Sequence, residues 1–282
     1  MTAERECRLS AESLRESVLV IGGDPVGETV ADRLELGVSN ATETDTPDVA
    51  VLAVDASGAD RDDGFEFPTL PEATVRFAVV TVTERPTSVE RALLDAVSTR
   101  VETVVLASGS GPEDLSAAVD ALVSIVRDPG IVNVDLADIE TVFRSADLAT
   151  LGVGTGSVGD PTTAVRNAFQ AVPRGIETDR AGGVIVDVIG PETTSVRDID
   201  DVVSSIRGRV GPDAHLIWGS AVGTADSVEV RLAVGGVRNA RAAPGDDCPR
   251  CGSSLSVYSL DGRSVLSCDS CGFADISVRI RS

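Results

Sequence analysis

The sequence predicts an α/β protein: a doubly wound parallel sheet with a long central helix, a second and smaller α/β unit, and a C-terminal zinc-ribbon hairpin. Three observations carry this. Short β-branched runs alternate with amphipathic stretches over residues 17–127, the pattern of a parallel sheet with helices on both faces. A second alternation of strands and helices follows Pro129-Gly130. Two Cys-x-x-Cys pairs, Cys248/Cys251 and Cys268/Cys271, close the chain.

Each element has its own signal. Residues 17–22 (SVLVIG) form a continuous apolar run, hence a buried strand, and feed GGDPVGETVADRL, a glycine-bearing turn that opens a helix. DVAVLAVDA (48–56) is the second strand. Residues 57–76 are polar with two prolines and read as a loop, and RFAVVTVT (76–83) is the third strand. Thr87 and Glu90 make a capping box for the helix TSVERALLDAVSTR. VETVVLAS (101–108) is the fourth strand. Residues 112–127 place Leu115, Ala118, Val119, Leu122, Ile125 and Val126 on one helical stripe. Pro129-Gly130 end that helix, and 131–146 run into another.

The second unit then reads as strand ATLGVGTG, helix PTTAVRNAFQAV and strand GGVIVDVIG. A helix with Val196, Ile199, Val202, Val203 and Ile206 at helical spacing follows, and AHLIWGS and SVEVRLAVGG close the unit as strands. The boundaries are an N-terminal extension at 1–16, units at 17–130 and 131–237, a linker at 238–247 and a ribbon at 248–282.

The composition narrows function. The 282 residues carry 45 Asp and Glu against 24 basic residues, a net charge of −21. Every base is Arg, and the sequence contains no Lys. Such a chain does not grip nucleic-acid phosphates, which needs a net basic surface. Its acidity is scattered, as in ADRDDG and RDIDD, and suits a halophilic cytoplasm where molar salt screens self-repulsion. No apolar run is long enough to span a membrane, and MTAERECRLSAESLRES lacks the apolar core of a secretory signal, so a cytoplasmic protein is expected.

Sixteen residues separate Cys251 from Cys268, within the spacing of a zinc site, and Asp261-Gly262 offers a hairpin turn between them. Four thiolates, Cys248, Cys251, Cys268 and Cys271, complete a tetrahedral shell with no open position, so the expected zinc is structural. A disulfide pair or a redox CxxC is the alternative. Cys7 stands outside the pattern and has no assigned role.

Gly22, Gly23 and Gly27 lie in the strand-to-helix turn, where backbone N–H groups and a helix N-terminus favour phosphate. The turn is neither GxGxxG nor a P-loop, and Asp24 brings a carboxylate beside any phosphate. A purely structural turn fits these residues equally.

IVRDPGIVNVDLADIETVF resembles the end of the central helix and the synergy loop of FtsZ, the prokaryotic tubulin relative, with Asn133, Asp135 and Asp138 in the loop's signature positions. TLGVGTG, GGVIVDVIG, LIWG (216–219) and the final strand keep pace with that family downstream, as VIGGDPVGETVADRL, VVTVTERPTSVE and VETVVLAS do upstream. The resemblance covers residues 17–237 and is densest over 76–237. It implies the FtsZ fold and a cytoskeletal role in cell division. It also implies that the three loop residues act in trans, on the nucleotide of a neighbouring subunit. Helix capping is the competing role for Asp135 and Asp138.

The departures are equally informative. The family's GGGTGTG-type phosphate loop has no counterpart between Ala56 and Phe77. The asparagine expected after VVLAS and the aromatic expected at the start of the central helix are also missing. The implied protein binds GTP weakly or not at all, has no GTPase activity of its own, and partners FtsZ-family filament subunits or its own copies. The alternatives are a minimal tubulin-like GTPase using the 22–27 turn, and a zinc-ribbon regulatory protein built on a nucleotide-binding domain.

Overall fold

A computed structural model describes residues 17–34, 46–59, 66–83, 87–128, 130–143, 146–239, 245, 248, 253–260, 263–271 and 274–275. The expected strand and helix alternation is present. In the first half it runs β1 (Val18–Gly22), α1 (Pro25–Leu34), β2 (Val49–Asp55), β3 (Val75–Val82), α2 (Ser88–Ser98), β4 (Thr103–Ser108) and α3 (Gly111–Arg127). Then come α4 (Leu136–Phe143), β5 (Leu148–Ser157), α5 (Thr162–Ala171), β6 (Ile176–Glu177) and β7 (Gly183–Gly190). The chain continues with α6 (Val196–Val210), β8 (His215–Val222), β9 (Ser227–Gly235) and β10 (Arg238–Asn239). The ribbon holds β11 (Ser256–Leu260), β12 (Arg263–Ser267) and β13 (Ala274–Asp275).

Both halves share one eight-stranded sheet in the order β1-β2-β3-β4-β5-β9-β7-β8. β1 to β5 are mutually parallel, β9 runs against both of its neighbours, and β7 pairs parallel with β8. Strand alternation sorts the side chains onto two faces. Val51, Phe77, Val105 and Ile185 pack against α1, α3 and α4 on one face. Leu52, Val80 and Leu106 pack against α2 on the other, and Val186 and Leu232 against α5 and α6. The loop read as polar supplies Phe67 and Leu70 to that second face.

The strands β1 to β4 lie in chain order, yet α3 crosses from β4 to β5 on the face opposite to α2, which crosses from β3 to β4. Two crossovers that step the same way on opposite faces have opposite hands. One of them therefore departs from the right-handed rule.

The glycines of TLGVGTG have a packing cause. A methyl group on Gly152 or Gly154 would overlap the backbone of Ala168, so their absence of side chain lets α5 lie directly on β5. As expected, 131–146 run into a helix, Leu136–Phe143, and the segment before it bonds to β8. Two local readings change. Val196, the first residue of α6 and counted in its apolar stripe, is 82% exposed. Arg238–Asn239, in the expected linker, pairs antiparallel with Ile176–Glu177.

Candidate functional site

The carboxyl ends of β1 to β4, together with the N-termini of α1, α2 and α3, are where an α/β sheet offers N–H groups to an anion. Here the chain fills those positions itself. Gly23 N–H donates to the Ala53 carbonyl at 2.8 Å, and a methyl group on Gly27 would overlap the same carbonyl. Gly22 is equally crowded by the Glu28 backbone. The three glycines thus serve the close approach of α1 to β2. Asp24 Oδ1 accepts from Gly27 N–H at 3.0 Å and Asp55 N–H at 3.2 Å. Burial raises the Asp24 pKa above the ordinary carboxylate value, against the lowering effect of these backbone donors; the nearby Asp55 charge pushes the same way as burial.

Asp55, at the end of β2, occupies the entrance to α3. Its Oδ1 accepts from Ser57 N–H at 3.1 Å and the Thr81 hydroxyl at 2.9 Å. Its Oδ2 accepts from the Ser57 hydroxyl at 3.0 Å and Gly111 N–H at 2.8 Å. Gly111 is the first residue of α3 and has φ +78°, a conformation glycine adopts without strain. Glu90, only 2% exposed, accepts from Thr83 N–H (2.8 Å), the Thr83 hydroxyl (3.0 Å) and Thr87 N–H (2.6 Å). The capping box is therefore present and extended. Asp114 accepts from Ser110 N–H at 2.9 Å. Sequence reasoning missed Asp55, whose only local signal is the Asp-x-Ser pattern of an Asx turn.

The loop before α4 is built differently. Ile131 N–H donates to the Ser220 carbonyl at 2.6 Å, and Ser220 N–H donates back to the Val132 carbonyl at 2.9 Å, which pins the segment to β8. Asn133 Oδ1 accepts from Gly130 N–H at 2.7 Å. Asp135 Oδ1 accepts from Asp138 N–H at 2.9 Å, and Asp138 Oδ2 accepts from Asp135 N–H at 3.1 Å, a reciprocal cap on α4. Each carboxylate uses one oxygen this way. Asn133 and Asp135 are exposed, and Ile131 (73%), Val132 and Val222 expose apolar surface beside them.

Asp187 on β7 lies beneath this loop, against Gly219 and opposite Arg231 of β9. Burial pushes its pKa up to about 6; Arg231 opposes the rise, while Glu229 and Asp128 add to it. Arg231 also pairs with Glu229 at 2.7 Å and donates to the Ser124 hydroxyl, tying β9 to the central helix.

A cleft of about 340 Å³ opens where β5 diverges from β4 beyond Leu106 and Thr150, between the two strands and α3. Its charged lining is Asp114, Asp120, Glu229 and Arg231, three carboxylates to one base, which disfavours a polyphosphate.

In the ribbon, Cys248, Cys268 and Cys271 come together, whereas Cys251 and Cys7 lie outside the described residues. The chain could hold a metal at that triad. β11 and β12 pair with Leu260 opposite Arg263, as a two-residue turn requires, and the turn residues Asp261-Gly262 are themselves outside the described set.

No family model matches the chain. It is similar to cell division protein FtsZ 1 of Archaeoglobus fulgidus, 27% identical over 227 residues that make up 78% of this chain and 60% of that one. FtsZ 1 of Methanocaldococcus jannaschii is 32% identical over 130 residues, 45% of this chain and 36% of that protein. FtsZ of Haloferax mediterranei is 31% identical over 111 residues, 39% of this chain and 29% of that protein. The chain thus spans between about a third and three fifths of these relatives' lengths.

Among solved structures, the empty FtsZ dimer of M. jannaschii superposes with a TM-score of 0.54 at 20% identity, covering 79% of this chain and 76% of that one. The GTPγS-bound protofilament of CetZ2 from Haloferax volcanii gives 0.51 at 13% identity, covering 78% and 76%. The sheet, its central helix and the loop that follows define an α/β protein with the FtsZ/tubulin-superfamily fold. In sequence the chain is similar to FtsZ.

Proposed function

We propose that this protein is a cytoskeletal cell-division subunit that carries no nucleotide of its own and docks on FtsZ-type filaments, or on its own copies, through the 130–138 face. One contrast supports the reading. Asp24, Asp55 and Glu90 hold the first N–H groups at the strand ends, where a nucleotide phosphate would need them, while the opposite loop presents Asn133 and Asp135 beside exposed Ile131 and Val132. A phosphate entering the first region meets negative charge and engaged donors.

In this role Asp135 and Asp138 would reach the nucleotide of the subunit they meet and orient the attacking water. Positioned carboxylates of this kind supply about 10²–10⁴ in rate. The acidic surface and the haloarchaeal relatives support a salt-rich cytoplasm as the setting. Among the described residues no helix is long and apolar enough to cross a membrane.

Two measurements in molar KCl test the reading. Calorimetry should show no GTP binding at micromolar nucleotide, and low-micromolar affinity would promote the minimal GTPase instead. Light scattering of an FtsZ from the same cell should show shorter filaments at substoichiometric amounts of this chain. Unchanged assembly and turnover at equimolar ratio would overturn the docking role.

A further inference from the structure

The ribbon brings three sulfurs into one place. The Sγ atoms of Cys248, Cys268 and Cys271 all lie within 4.8 Å of one another, and those of Cys248 and Cys271 are 3.6 Å apart. A disulfide holds its sulfurs at about 2.05 Å. A tetrahedral zinc shell with Zn–S of about 2.3 Å places them about 3.8 Å apart. The observed spacing is that of a shared ligand shell.

The local backbone is shaped for the same purpose. Cys248 N–H donates to the Ser253 carbonyl at 2.7 Å, which brings Ser253 back to the first cysteine. Cys268 follows the last residue of β12, and Asp269–Cys271 turn back beside it, with Asp269 accepting from the Ser256 hydroxyl at 3.2 Å. Cys248 and Cys268 are 0% and 2% exposed, and Leu255 is buried as well. A short β-hairpin unit of this kind gains stability when a metal ties its ends together.

We propose that Cys248, Cys268 and Cys271, with Cys251 as the fourth thiolate, bind one zinc ion whose coordination holds the ribbon together. Cys251 follows Cys248 by the interval at which Cys271 follows Cys268. Binding releases the thiol protons to solvent and leaves four sulfur–zinc bonds with no open position, so the site is structural and performs no hydrolysis. This proposal is independent of the filament reading.

The test uses the full chain, purified under reducing conditions in molar KCl. Elemental analysis should give one zinc per chain, and cobalt(II) exchanged into the site should show the intense visible bands of a tetrahedral thiolate complex. Chelation should open the ribbon to protease while the fragment carrying the main sheet survives. Cys7→Ser should keep one zinc, and Cys268→Ser should lose it. A wild-type chain that carries little zinc and shows no cobalt bands overturns the site, whatever the variants do. So does a chain lighter by two hydrogens without reductant, the mark of a disulfide. Cys251→Ser that keeps full affinity and an unchanged cobalt spectrum overturns the four-thiolate shell.

Discussion

Two regions of this molecule use one chemistry to opposite ends. At the carboxyl edge of β1 to β4, and again before α4, acidic side chains accept hydrogen bonds from the first N–H groups of a helix. At the strand edge Asp55 and Glu90 are enclosed. Asp55 is 6% exposed and accepts four bonds, so nothing remains to offer a ligand. Before α4, Asp135 and Asp138 each give one oxygen to the cap, Asp135 exposed and Asp138 half-buried, in a segment pinned to β8 by the Val132–Ser220 bridge. The residue type does not decide between plug and probe. The number of donors each carboxylate meets, and its burial, do.

The contrast breaks most visibly at Asp55. Asp55→Ala leaves the Thr81 hydroxyl and Gly111 N–H without their acceptor, and a loss of about 2–4 kcal/mol is expected because unsatisfied buried donors cost far more than a bond contributes. Urea unfolding in high salt measures it. A loss below about 1 kcal/mol would mean that water replaces the carboxylate and that the edge is open.

Asp187 sharpens the comparison from beneath the exposed loop. Its pKa of about 6 lies above the ordinary 3.8, so between about pH 4 and 6 the folded chain holds more protons than the unfolded one. Stability from this group is therefore greatest below pH 4, falls as pH rises through 6, and stays reduced above it. Asp187→Asn is expected to stabilise the protein by about 1–3 kcal/mol at pH 7 and to flatten the slope between pH 4 and 6. Thermal melts across that window read both. A variant less stable at pH 7 would show that attraction to Arg231 outweighs burial.

The smallest stability effect belongs to the loop. Asp135→Ala removes an exposed cap and should cost about 1 kcal/mol or less. Asp138→Ala should cost about the same, still shorten filaments, and stop stimulating partner turnover. If Asp135→Ala costs as much as Asp55→Ala, the two regions do not differ in the way the hydrogen bonds imply.

How much was legible beforehand follows the range of the interactions. The Thr87–Glu90 box was readable because both partners sit three residues apart on one helix start. That Glu90 also takes Thr83 was less so, since it depends on how the chain leaves β3. Asp24 was recognised as a carboxylate beside a glycine turn, and its bonds to Gly27 and Asp55 show what it does there. Asp55 carries no comparable local signal, since its partner Gly111 lies 56 residues away. The reciprocal cap of Asp135 and Asp138 fits the capping role that their spacing allowed, and it leaves the trans role to the filament experiment.

Local pattern therefore determined the strands, the helices, the acidic surface and the paired cysteines, since hydrophobic period, capping spacing and charge are properties of short segments. Only the tertiary structure decided that β4 and β5 join both halves into one sheet, that α2 and α3 cross on opposite faces, and that Phe67 and Leu70 pack onto the second face of the sheet. It also decided which carboxylates are spent on the chain's own donors and which are presented. Those outcomes depend on contacts between segments tens of residues apart, and a hydrogen bond from Gly111 to Asp55 exists only once the sheet has brought their strand ends together.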